Sequence, residues 1–304
     1  MKFTFIVLSY NQQEFIVDNL NSIAVQVTNN FKDYKCSLIV ADDSSSDLTL
    51  ERIYEWVEKY RHLFYEVRVL DSELNLGTCK NYTRAIRYVS EGEFKVLAAD
   101  DIYTENDFTD IVNKLKFYDS ILTPVIPFTC LKTIGIDKGE SLLKSIFTIK
   151  NYLSKKDGFQ SRTLSSPPFT PGVFIARRMF TEEVLKYIEQ YDLIEDRSQW
   201  LKIFELNEFV KFDYSEIPFV LYRRGDGSVS INKKNPTYLR YKKDQAALTE
   251  VQIKKSKSLM YRMFYRYVKL IQAIKSDFLR AMINPAVVTY KLKWLFFKSF
   301  YKNK

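Results

Sequence analysis

Ser37-Leu38-Ile39-Val40-Ala41-Asp42-Asp43-Ser44-Ser45-Ser46-Asp47 joins a short apolar run to two acids and a polar cluster. The run from Ser37 to Ala41 has the length and composition of a buried strand. The cluster from Ser44 to Asp47 is typical of a helix start, because short polar side chains cap free N–H groups. Helical spacing then continues at Ile53, Trp56, Val57 and Tyr60. The stretch therefore predicts a strand, a polar turn and a helix.

The same alternation of strand and helix signals runs through residues 1–130. Further strands are predicted at Phe3–Leu8, Tyr65–Leu70 and Phe94–Ala98, and further helices at Phe15–Val25 and Thr78–Ser90. Strands that alternate with helices of this length indicate an α/β fold, Rossmann-like, with a mostly parallel sheet flanked by helices. The ligand crevice of such a sheet lies at the carboxyl ends of its strands.

Polar residues follow three of the four predicted strands, at the point where each strand ends. Tyr10 and Asn11 follow the first strand, the Asp42-Asp43 pair follows the second, and the Asp100-Asp101 pair follows the fourth. Because parallel strands end at one edge of the sheet, we expect these side chains to converge on one crevice.

Each acidic pair has a structural and a functional interpretation. Asp43 is suited to capping the following helix or to accepting the imide N–H of a uracil base. The Asp100-Asp101 pair is suited to a solvated turn before an acidic helix that would carry Glu105, Asp107 and Asp110. The favoured interpretation is that the pair holds Mg²⁺ or Mn²⁺, which would neutralise the two charges and bind a diphosphate.

The second half of the sequence is less regular. Residues 120–172 show no clear periodicity and include the loop Ser165–Gly172. A strand is predicted at Val173–Ala176, a helix at Thr181–Gln190, and another helix from Glu195. The Glu195-Asp196 pair opens that last helix, where it is suited to stabilising the helix dipole or to supplying a general base.

The overall composition narrows the possible chemistry. Hydrophobic residues make up 46% of the chain and charged residues 27%, which is typical of a globular protein. The single histidine, His62, ends a helix where a surface position is expected, so acid–base chemistry falls to carboxylates, Lys or Tyr. Three cysteines without metal spacing argue against a disulfide framework and favour a cytoplasmic protein.

The charge is distributed unevenly along the chain. From Ile231 onward there are 18 Lys or Arg against three acids, whereas the preceding residues carry 28 basic and 34 acidic side chains. The domain prediction follows this shift, with a catalytic domain over residues 1–230 and a basic, aromatic-rich helical extension over residues 231–304.

The order of these motifs resembles the family 2 glycosyltransferases, which have the GT-A fold. The matching segments, which span about residues 1–230, are Leu8-Ser9-Tyr10-Asn11, Asp42-Asp43-Ser44-Ser45-Ser46-Asp47, Asn75-Leu76-Gly77 with Lys80 and Asn81, Asp100-Asp101, Pro171-Gly172 with Arg177-Arg178, Glu195-Asp196, Tyr222-Arg223 and Ser228-Val229-Ser230. Each motif alone is weak, but their order along one chain is specific.

The resemblance implies an inverting enzyme that moves a sugar from a nucleotide sugar, UDP-linked by preference, to a hydroxyl of a glycan or lipid-linked glycan in surface polysaccharide synthesis. Asp196 would be the catalytic base, with Glu195 near the acceptor. Asp101 and Asp100 would hold Mn²⁺ or Mg²⁺. The donor would be bound by Tyr10, Asn11, Asp42, Asp43, Asn75, Lys80, Asp100 and Arg223.

Two departures from the family pattern bear on the metal and the diphosphate. Ala98 stands where many members have the first acid of Asp-x-Asp-Asp, so metal binding would rest on Asp100 and Asp101 alone. Arg224-Gly225-Asp226 replaces the histidine that many members carry after Tyr-Arg. Arg223 or Asp226 would substitute for that histidine.

Two other functions share some of these features. A sugar nucleotidyltransferase would show a glycine-rich basic loop after the first strand, and Ser9-Tyr10-Asn11-Gln12-Gln13 lacks one. A non-catalytic nucleotide- or glycan-binding protein on the same fold would not need Asp43, Asp101 and Asp196 together.

The basic extension has its own set of interpretations. Interleaved Lys and aromatic side chains favour an interfacial helix on an anionic membrane, which would make the protein peripheral on the inner face of the cell membrane. The alternative is an apolar stripe that packs on the body of the protein or on a second subunit in a homodimer. Charge alone is compatible with nucleic acid, but no reader motif accompanies it, so no nucleic-acid partner is expected.

Overall fold

The computed structural model describes residues 1–128, 138–153, 170–224, 237–255, 259–272, 274 and 285–302. The chain divides into two compact units, Met1–Lys233 and Lys234–Lys304, and each is described by itself. The predicted loop at residues 165–169, the replacement segment at 225–226 and Ser228-Val229-Ser230 lie outside the described residues.

A four-stranded parallel sheet forms the centre of the first unit. Its strands are β1 (Lys2–Ser9), β2 (Lys35–Asp42), β3 (Glu66–Leu70) and β4 (Glu93–Ala98), in the order β3-β2-β1-β4. Phe5, Ile6 and Val7 of β1 are fully buried, as a strand covered on both faces requires. The predicted α/β architecture with a parallel sheet and flanking helices is confirmed.

Helices connect consecutive strands of this sheet, as parallel strands require. They are α1 (Ile16–Asn29), α2 (Thr49–Tyr60) and α3 (Thr78–Arg87), and a short 3₁₀ turn, Arg61–Leu63, follows α2. The four strands and three helices predicted here are all present, with ends that differ from prediction by a few residues. His62 is exposed in the 3₁₀ turn, as expected.

Short elements build the rest of the first unit. They are β5 (Ile102–Tyr103), α4 (Thr109–Lys114), β6 (Ser120–Leu122), β7 (Val125–Phe128), α5 (Lys138–Leu153), β8 (Val173–Ile175), α6 (Glu182–Ile188), α7 (Glu195–Leu206), β9 (Phe212–Tyr214) and β10 (Val220–Arg223). The strands form two mixed three-stranded sheets, in the orders β5-β10-β7 and β8-β6-β9.

Three predictions in this region change. The acidic helix begins at Thr109, so Glu105 and Asp107 precede it, and the Asp107 carboxylate accepts the Thr109 N–H at 2.8 Å. Residues 120–172 are more regular than expected, because they contain β6, β7 and the 16-residue helix α5. The strand predicted to end at Ala176 ends at Ile175.

An aromatic cluster joins the parallel sheet to the short elements. The Phe108 ring is fully buried, stacks on Tyr103 at a centroid distance of 5.4 Å and lies 4.9 Å from the Phe31 ring. Further partners of the same ring are Phe3, Phe5, Phe174 and Phe219. Rings from before and after residue 130 therefore share one core, which holds the two halves of this unit together.

The second unit is helical in the part that the structure describes. Its helices are α8 (Tyr238–Lys255), α9 (Leu259–Gln272) and α10 (Pro285–Lys302). Helix α10 starts at Pro285, since proline favours the first turn of a helix. Among the helices described, none combines the length and the apolar character that a membrane-spanning segment needs.

We expect Phe108→Ala to lower the free energy of unfolding by about 3–5 kcal/mol, because a fully buried ring leaves a cavity. The matched control is Phe117→Ala, whose ring is 68% exposed. That control should stay within about 0.5 kcal/mol of the wild type. Urea unfolding of the three proteins measures both values, and equal losses in the two variants would contradict the role of this cluster.

Candidate active site

Strands β1, β2 and β4 end at the same edge of the parallel sheet. Ser9 of β1 pairs with Asp42 of β2, and Leu8 pairs with Ala98 of β4. The segments that follow these three strands therefore start side by side. The structure brings together the strand ends that the sequence predicted to converge.

Asp42 is a structural carboxylate at this edge. It is 1% exposed, and its oxygens accept hydrogen bonds from the Ser9 hydroxyl at 2.8 Å and the Ser45 hydroxyl at 2.6 Å. The Ser45 backbone N–H donates to the same carboxylate at 2.8 Å. These contacts join the end of β1 to the turn after β2.

Asn11 holds the same turn from the other side. Its backbone is left-handed, with φ of 52°, and its side-chain oxygen accepts the Ser46 N–H at 2.9 Å. Asparagine tolerates this conformation better than most residues. The neighbouring Tyr10 ring is 45% exposed above the strand end, so it offers a flat surface to a ligand.

Asp43 connects β2 to the turn before α3. Its two carboxylate oxygens accept the backbone N–H groups of Leu76 at 2.7 Å and Gly77 at 2.9 Å, and the Asn75 amide donates to its carbonyl at 3.2 Å. Burial raises the pKa of Asp43, and the two backbone donors oppose that rise. Since a carboxylate has about four acceptor positions, Asp43 keeps capacity for a further N–H donor.

Gly77 carries this connection on to the segment before α7. Its φ is +84°, and an added Cβ would lie 2.3 Å from the Asp192 side chain, so a side chain does not fit here. The Cys79 N–H donates to the Asp192 carbonyl at 3.0 Å. The turn that contacts Asp43 is thereby fixed to the chain just ahead of Glu195 and Asp196.

The Asp100-Asp101 pair follows β4 in a tight turn. Asp101 is 1% exposed, and its carboxylate accepts the Arg223 backbone N–H at 2.8 Å. Burial raises the pKa of Asp101 well above its usual range, and the negative charge of Asp100 adds to that rise. Burial also raises the pKa of Asp100, against the opposing charge of Arg223.

The Arg223 guanidinium lies close to two aromatic rings. Its Cζ lies 4.1 Å from the centroid of Phe15 and 4.5 Å from that of Phe128, and its Nε donates to the Asp100 carbonyl at 2.9 Å. Stacked aromatic faces fix the orientation of a guanidinium without neutralising its charge. Arg223 therefore provides an oriented cation beside the two carboxylates.

The Asp100-Asp101 pair fits a hard divalent cation. Mg²⁺-type ions bind through one or two carboxylates and complete their coordination with substrate phosphates and water. No group of three or more acidic, His or Cys side chains with metal-binding geometry occurs among the described residues. A two-carboxylate site with raised pKa values, completed by a diphosphate, agrees with that finding.

Glu195 and Asp196 lie in the first turn of α7, half-buried. Burial raises the pKa of Glu195 to about 8, with the Asp196 charge adding to the effect. Burial also raises the pKa of Asp196, but the Arg197 N–H at 2.6 Å and the Thr170 hydroxyl at 3.3 Å donate to its carboxylate and oppose that rise. These two donors favour the ionised form of Asp196 and point to it as the more acidic member of the pair.

Tyr222 of β10 lies within electrostatic range of both acidic groups. Burial raises its pKa, and the charges of Asp101, Asp100 and Asp196 add to the rise. Asp100 and Asp101 after β4 and Asp196 at the start of α7 therefore all influence this one side chain. Lys80, in contrast, lies exposed in the first turn of α3.

Three residues of this site were not among the predicted site residues. They are Tyr222, Thr170 and Tyr82, whose buried hydroxyl donates to the Gln199 side chain of α7 at 2.8 Å. The sequence signal for Tyr222 was its position beside Arg223. No local signal marks Thr170 or Tyr82, because their partners lie on distant segments.

Comparison with known proteins gives a consistent result. The family described as Glycosyl transferase family 2 matches residues 4–185, which is more than half of the chain. Teichoic acid poly(glycerol phosphate) polymerase of Staphylococcus epidermidis is 29% identical over 136 residues, which cover 45% of this chain and 18% of that protein. Poly(ribitol-phosphate) beta-N-acetylglucosaminyltransferase TarS of Staphylococcus aureus is 34% identical over 107 residues, covering 35% of this chain and 17% of TarS.

Two solved structures share the fold. TarS residues 1–349 in complex with UDP-GlcNAc matches with a TM-score of 0.60 and 16% identity, covering 96% of this chain and 73% of that one. The mannosyltransferase PcManGT of Pyrobaculum calidifontis, in complex with GDP-Man and Mn²⁺, matches with a TM-score of 0.53, 15% identity and the same coverages.

The chain spans less than a fifth of the length of the two curated relatives, and the structural likeness bears on the fold alone. The family match covers the segments after β1, β2 and β4 that form the carboxylate edge. The chain therefore belongs to glycosyl transferase family 2.

Proposed function

We propose that this protein is an inverting glycosyltransferase that moves a sugar from a UDP-sugar to a hydroxyl of a glycan or lipid-linked glycan. The observation that carries this proposal is the placement of two acidic pairs near Tyr222. Asp101 of the first pair accepts the N–H of the neighbouring Arg223, and the charge of Asp196, from the Glu195-Asp196 pair, acts on Tyr222. One pair is suited to the diphosphate that leaves, and the other is suited to the hydroxyl that attacks. Such a division of tasks is what a displacement at an anomeric carbon requires.

The donor nucleotide lies, in this proposal, over the ends of β1 and β2. The exposed Tyr10 ring stacks on the base, and the Asp43 carboxylate accepts its imide N–H. Asn11, Asp42 and Asn75 contribute by holding the turns that frame this position. Lys80 and Arg223 supply positive charge for the phosphates.

Asp101 and Asp100 would hold Mn²⁺ or Mg²⁺ together with the diphosphate. A divalent cation at this place supplies charge neutralisation for the departing nucleoside diphosphate. The oriented Arg223 guanidinium adds a second positive charge on the same side.

Asp196 acts as the general base on the acceptor. Its carboxylate takes the proton of the attacking hydroxyl while the oxygen forms a bond to the anomeric carbon, and the bond from that carbon to the diphosphate oxygen breaks. Glu195, with a pKa of about 8, is mostly protonated at neutral pH and orients the acceptor as a hydrogen-bond donor. A single displacement of this kind inverts the anomeric configuration.

The names of similar proteins support a role in cell-surface polymer synthesis. TarS is a poly(ribitol-phosphate) beta-N-acetylglucosaminyltransferase, and the other relative is a teichoic acid poly(glycerol phosphate) polymerase. We therefore propose an acceptor that belongs to a surface polymer or its lipid-linked precursor. The names of the two relatives indicate different transferred groups, so binding measurements with a panel of nucleotide sugars identify the donor.

Two alternatives make different predictions. A sugar nucleotidyltransferase would bind a nucleoside triphosphate, and a non-catalytic binding protein would bind a nucleotide sugar without turnover. The segment after β1 is a turn pinned by Asn11, Gln12 and Gln13 to residues 45–49 rather than a glycine-rich phosphate loop. That geometry favours the transferase over the nucleotidyltransferase.

The second unit supports a proposal for membrane attachment on the cytoplasmic side. Helix α9 exposes Leu259, Met263 and Leu270, together with the cations Arg262, Arg266 and Lys269. Helix α10 exposes Val288, Leu292, Leu295 and Phe296, together with Lys291 and Lys293. Exposed apolar stripes bordered by cations are suited to the headgroup region of an anionic bilayer, and each cation near that surface contributes about 1 kcal/mol.

We expect replacement of Glu195 and of Asp196 by their amides to have different effects on activity. Asp196→Asn removes the base and should lower kcat by about 10²- to 10⁴-fold. Glu195→Gln mimics a protonated carboxyl and should lower kcat much less. Because burial raises the pKa of Asp196, wild-type activity should fall on the acid side at a higher pH than for an ordinary aspartate.

Steady-state kinetics against pH, with a UDP-sugar and a hydroxyl acceptor, measure these effects. The matched control is Asp213→Asn, which removes only an exposed ion pair with Lys114 and should retain wild-type activity. Intact turnover in Asp196→Asn would defeat the assignment of the base.

We expect Asp101→Asn to fold and to lose the effect of Mn²⁺ on donor binding. The amide oxygen of asparagine can still accept the Arg223 N–H, but the charge that attracts the cation is gone. A thermal-shift panel of nucleotides and nucleotide sugars, with and without Mn²⁺, measures binding as a rise in apparent stability. An equal Mn²⁺-dependent rise in wild type and variant would contradict this metal site.

We expect removal of residues 285–304 to move the protein from anionic vesicles to the supernatant in a sedimentation assay. The reason is that α10 contributes both apolar side chains and cations. Vesicles of neutral lipid are the control, because they lack the charge that attracts lysine. Unchanged sedimentation, or a loss of dimer in size-exclusion chromatography without a loss of vesicle binding, would favour packing on a second subunit instead.

A further inference from the structure

Lys95 is a buried lysine of β4 with a specific set of partners. It is 4% exposed, and its Nζ donates to the carbonyl oxygens of Val173 at 2.9 Å and Thr170 at 3.3 Å. The same Nζ lies 5.2 Å from the centroid of the Phe174 ring. Burial lowers the pKa of Lys95 to about 7, against the opposing charge of Asp101.

The two carbonyl groups belong to the turn Thr170–Gly172 and the strand that follows it. The turn is also held from the other side, because the Thr123 N–H and hydroxyl donate to the Gly172 carbonyl at 2.8 and 2.9 Å. The Thr170 hydroxyl in turn donates to the Asp196 carboxylate at 3.3 Å. A chain of contacts therefore runs from Lys95 through Thr170 to Asp196.

We propose that Lys95 is a positioning residue that fixes the turn Thr170–Gly172 and so holds the Thr170 hydroxyl against the Asp196 carboxylate. The inference rests on the proposed function, because it takes Asp196 as the base. It adds a mechanical link between β4, whose end carries Asp100 and Asp101, and the helix that carries the base. The link thereby fixes the position of the proposed base relative to the strand that precedes the proposed metal-binding pair.

The chemistry of an amine explains why this link works across neutral pH. A neutral lysine has two N–H donors and a charged one has three, so both forms can bond to the two carbonyl groups. Burial of the charged form is costly without a full counter-charge, whereas a methionine of similar length would fit the apolar surroundings without that cost. The two carbonyl bonds are the interactions that the amine makes and a methionine could not make.

The pH profile of kcat reports on this link through Asp196. The charged or titratable groups that act on this carboxylate are Glu195 and Arg197 of its own helix, Tyr222 of β10 and Tyr82 of α3. The Thr170 hydroxyl stabilises the ionised form and lowers the pKa of Asp196. Loss of this bond raises that pKa, so the decline of kcat at low pH should move to higher pH.

The test compares Lys95→Met, Thr170→Val and the double variant by kcat, donor KM and pH profile. We expect each single variant to lower kcat by about tenfold or more, up to about 100-fold, since misplacement of a base by an ångström has effects of that size. The decline at low pH should move upward in both. Donor KM should stay near the wild-type value, because Tyr10 and Asp43 are untouched.

The double variant tests whether the two residues act through one contact. If they do, its kcat should be close to that of the worse single variant, because coupled residues are not additive. Thr170→Ser keeps the hydroxyl and should restore both kcat and the pH profile. Lys114→Met, which loses only an exposed ion pair with Asp213, is the control for the loss of a lysine.

Several outcomes would overturn the proposal. Additive effects in the double variant, or an unmoved pH profile in Thr170→Val, would show that Lys95 only stabilises the fold. Thr170→Val decides this even if Lys95→Met does not fold. An active Asp196→Asn would overturn the base assignment and this inference together, whereas an inactive Asp196→Asn beside a fully active Lys95→Met would overturn this inference alone.

Discussion

The parallel register of β1, β2 and β4 forces several carboxylates toward one edge of the sheet. Ser9 pairs with Asp42, and Leu8 pairs with Ala98, so the acids that follow β2 and β4 leave the sheet at the same level. Like charges brought together in a partly buried place repel, and burial makes each charge more costly. The rest of the site supplies hydroxyl and backbone N–H donors that stabilise some of those acids more than others.

Hydrogen-bond donors are distributed unevenly among these acids. Acids with several donors hold the fold together, whereas acids with few donors are available for chemistry. Asp42 accepts two hydroxyls and one backbone N–H, and Asp43 accepts two backbone N–H groups. Both serve as connectors that hold neighbouring turns in place. Asp101 has one backbone donor and a strongly raised pKa, so it gains most from a cation. The least satisfied carboxylates are thus the ones suited to a metal and a diphosphate.

The sequence predicted the parallel half well because its signals are local. A strand followed directly by two acids can be read from eight or so residues, as with Asp42 and Asp43, and register then brings such ends together. Lys95 could not be found in this way, because its Thr170 partner is 75 residues away. Helix α5 carries a local signal in the spacing of Leu142, Ile146 and Ile149, two of them buried, but the signal is short and lies among strand-like neighbours.

Burial of adjacent carboxylates also governs the Glu195-Asp196 pair, which is proposed to face the acceptor. Here the donors favour a charge on one acid rather than a metal ion between two. Burial raises the pKa of both Glu195 and Asp196, and each charge makes ionisation of its neighbour more costly. The Thr170 hydroxyl and the Arg197 N–H both donate to Asp196, so these donors favour the ionised form of Asp196. Because the Thr170 carbonyl accepts a hydrogen bond from Lys95 of the central sheet, the proposed base is linked to the strand that ends before the proposed metal-binding pair. In the proposed mechanism, the sheet therefore sets both the position of the donor and the acid that receives the proton of the acceptor.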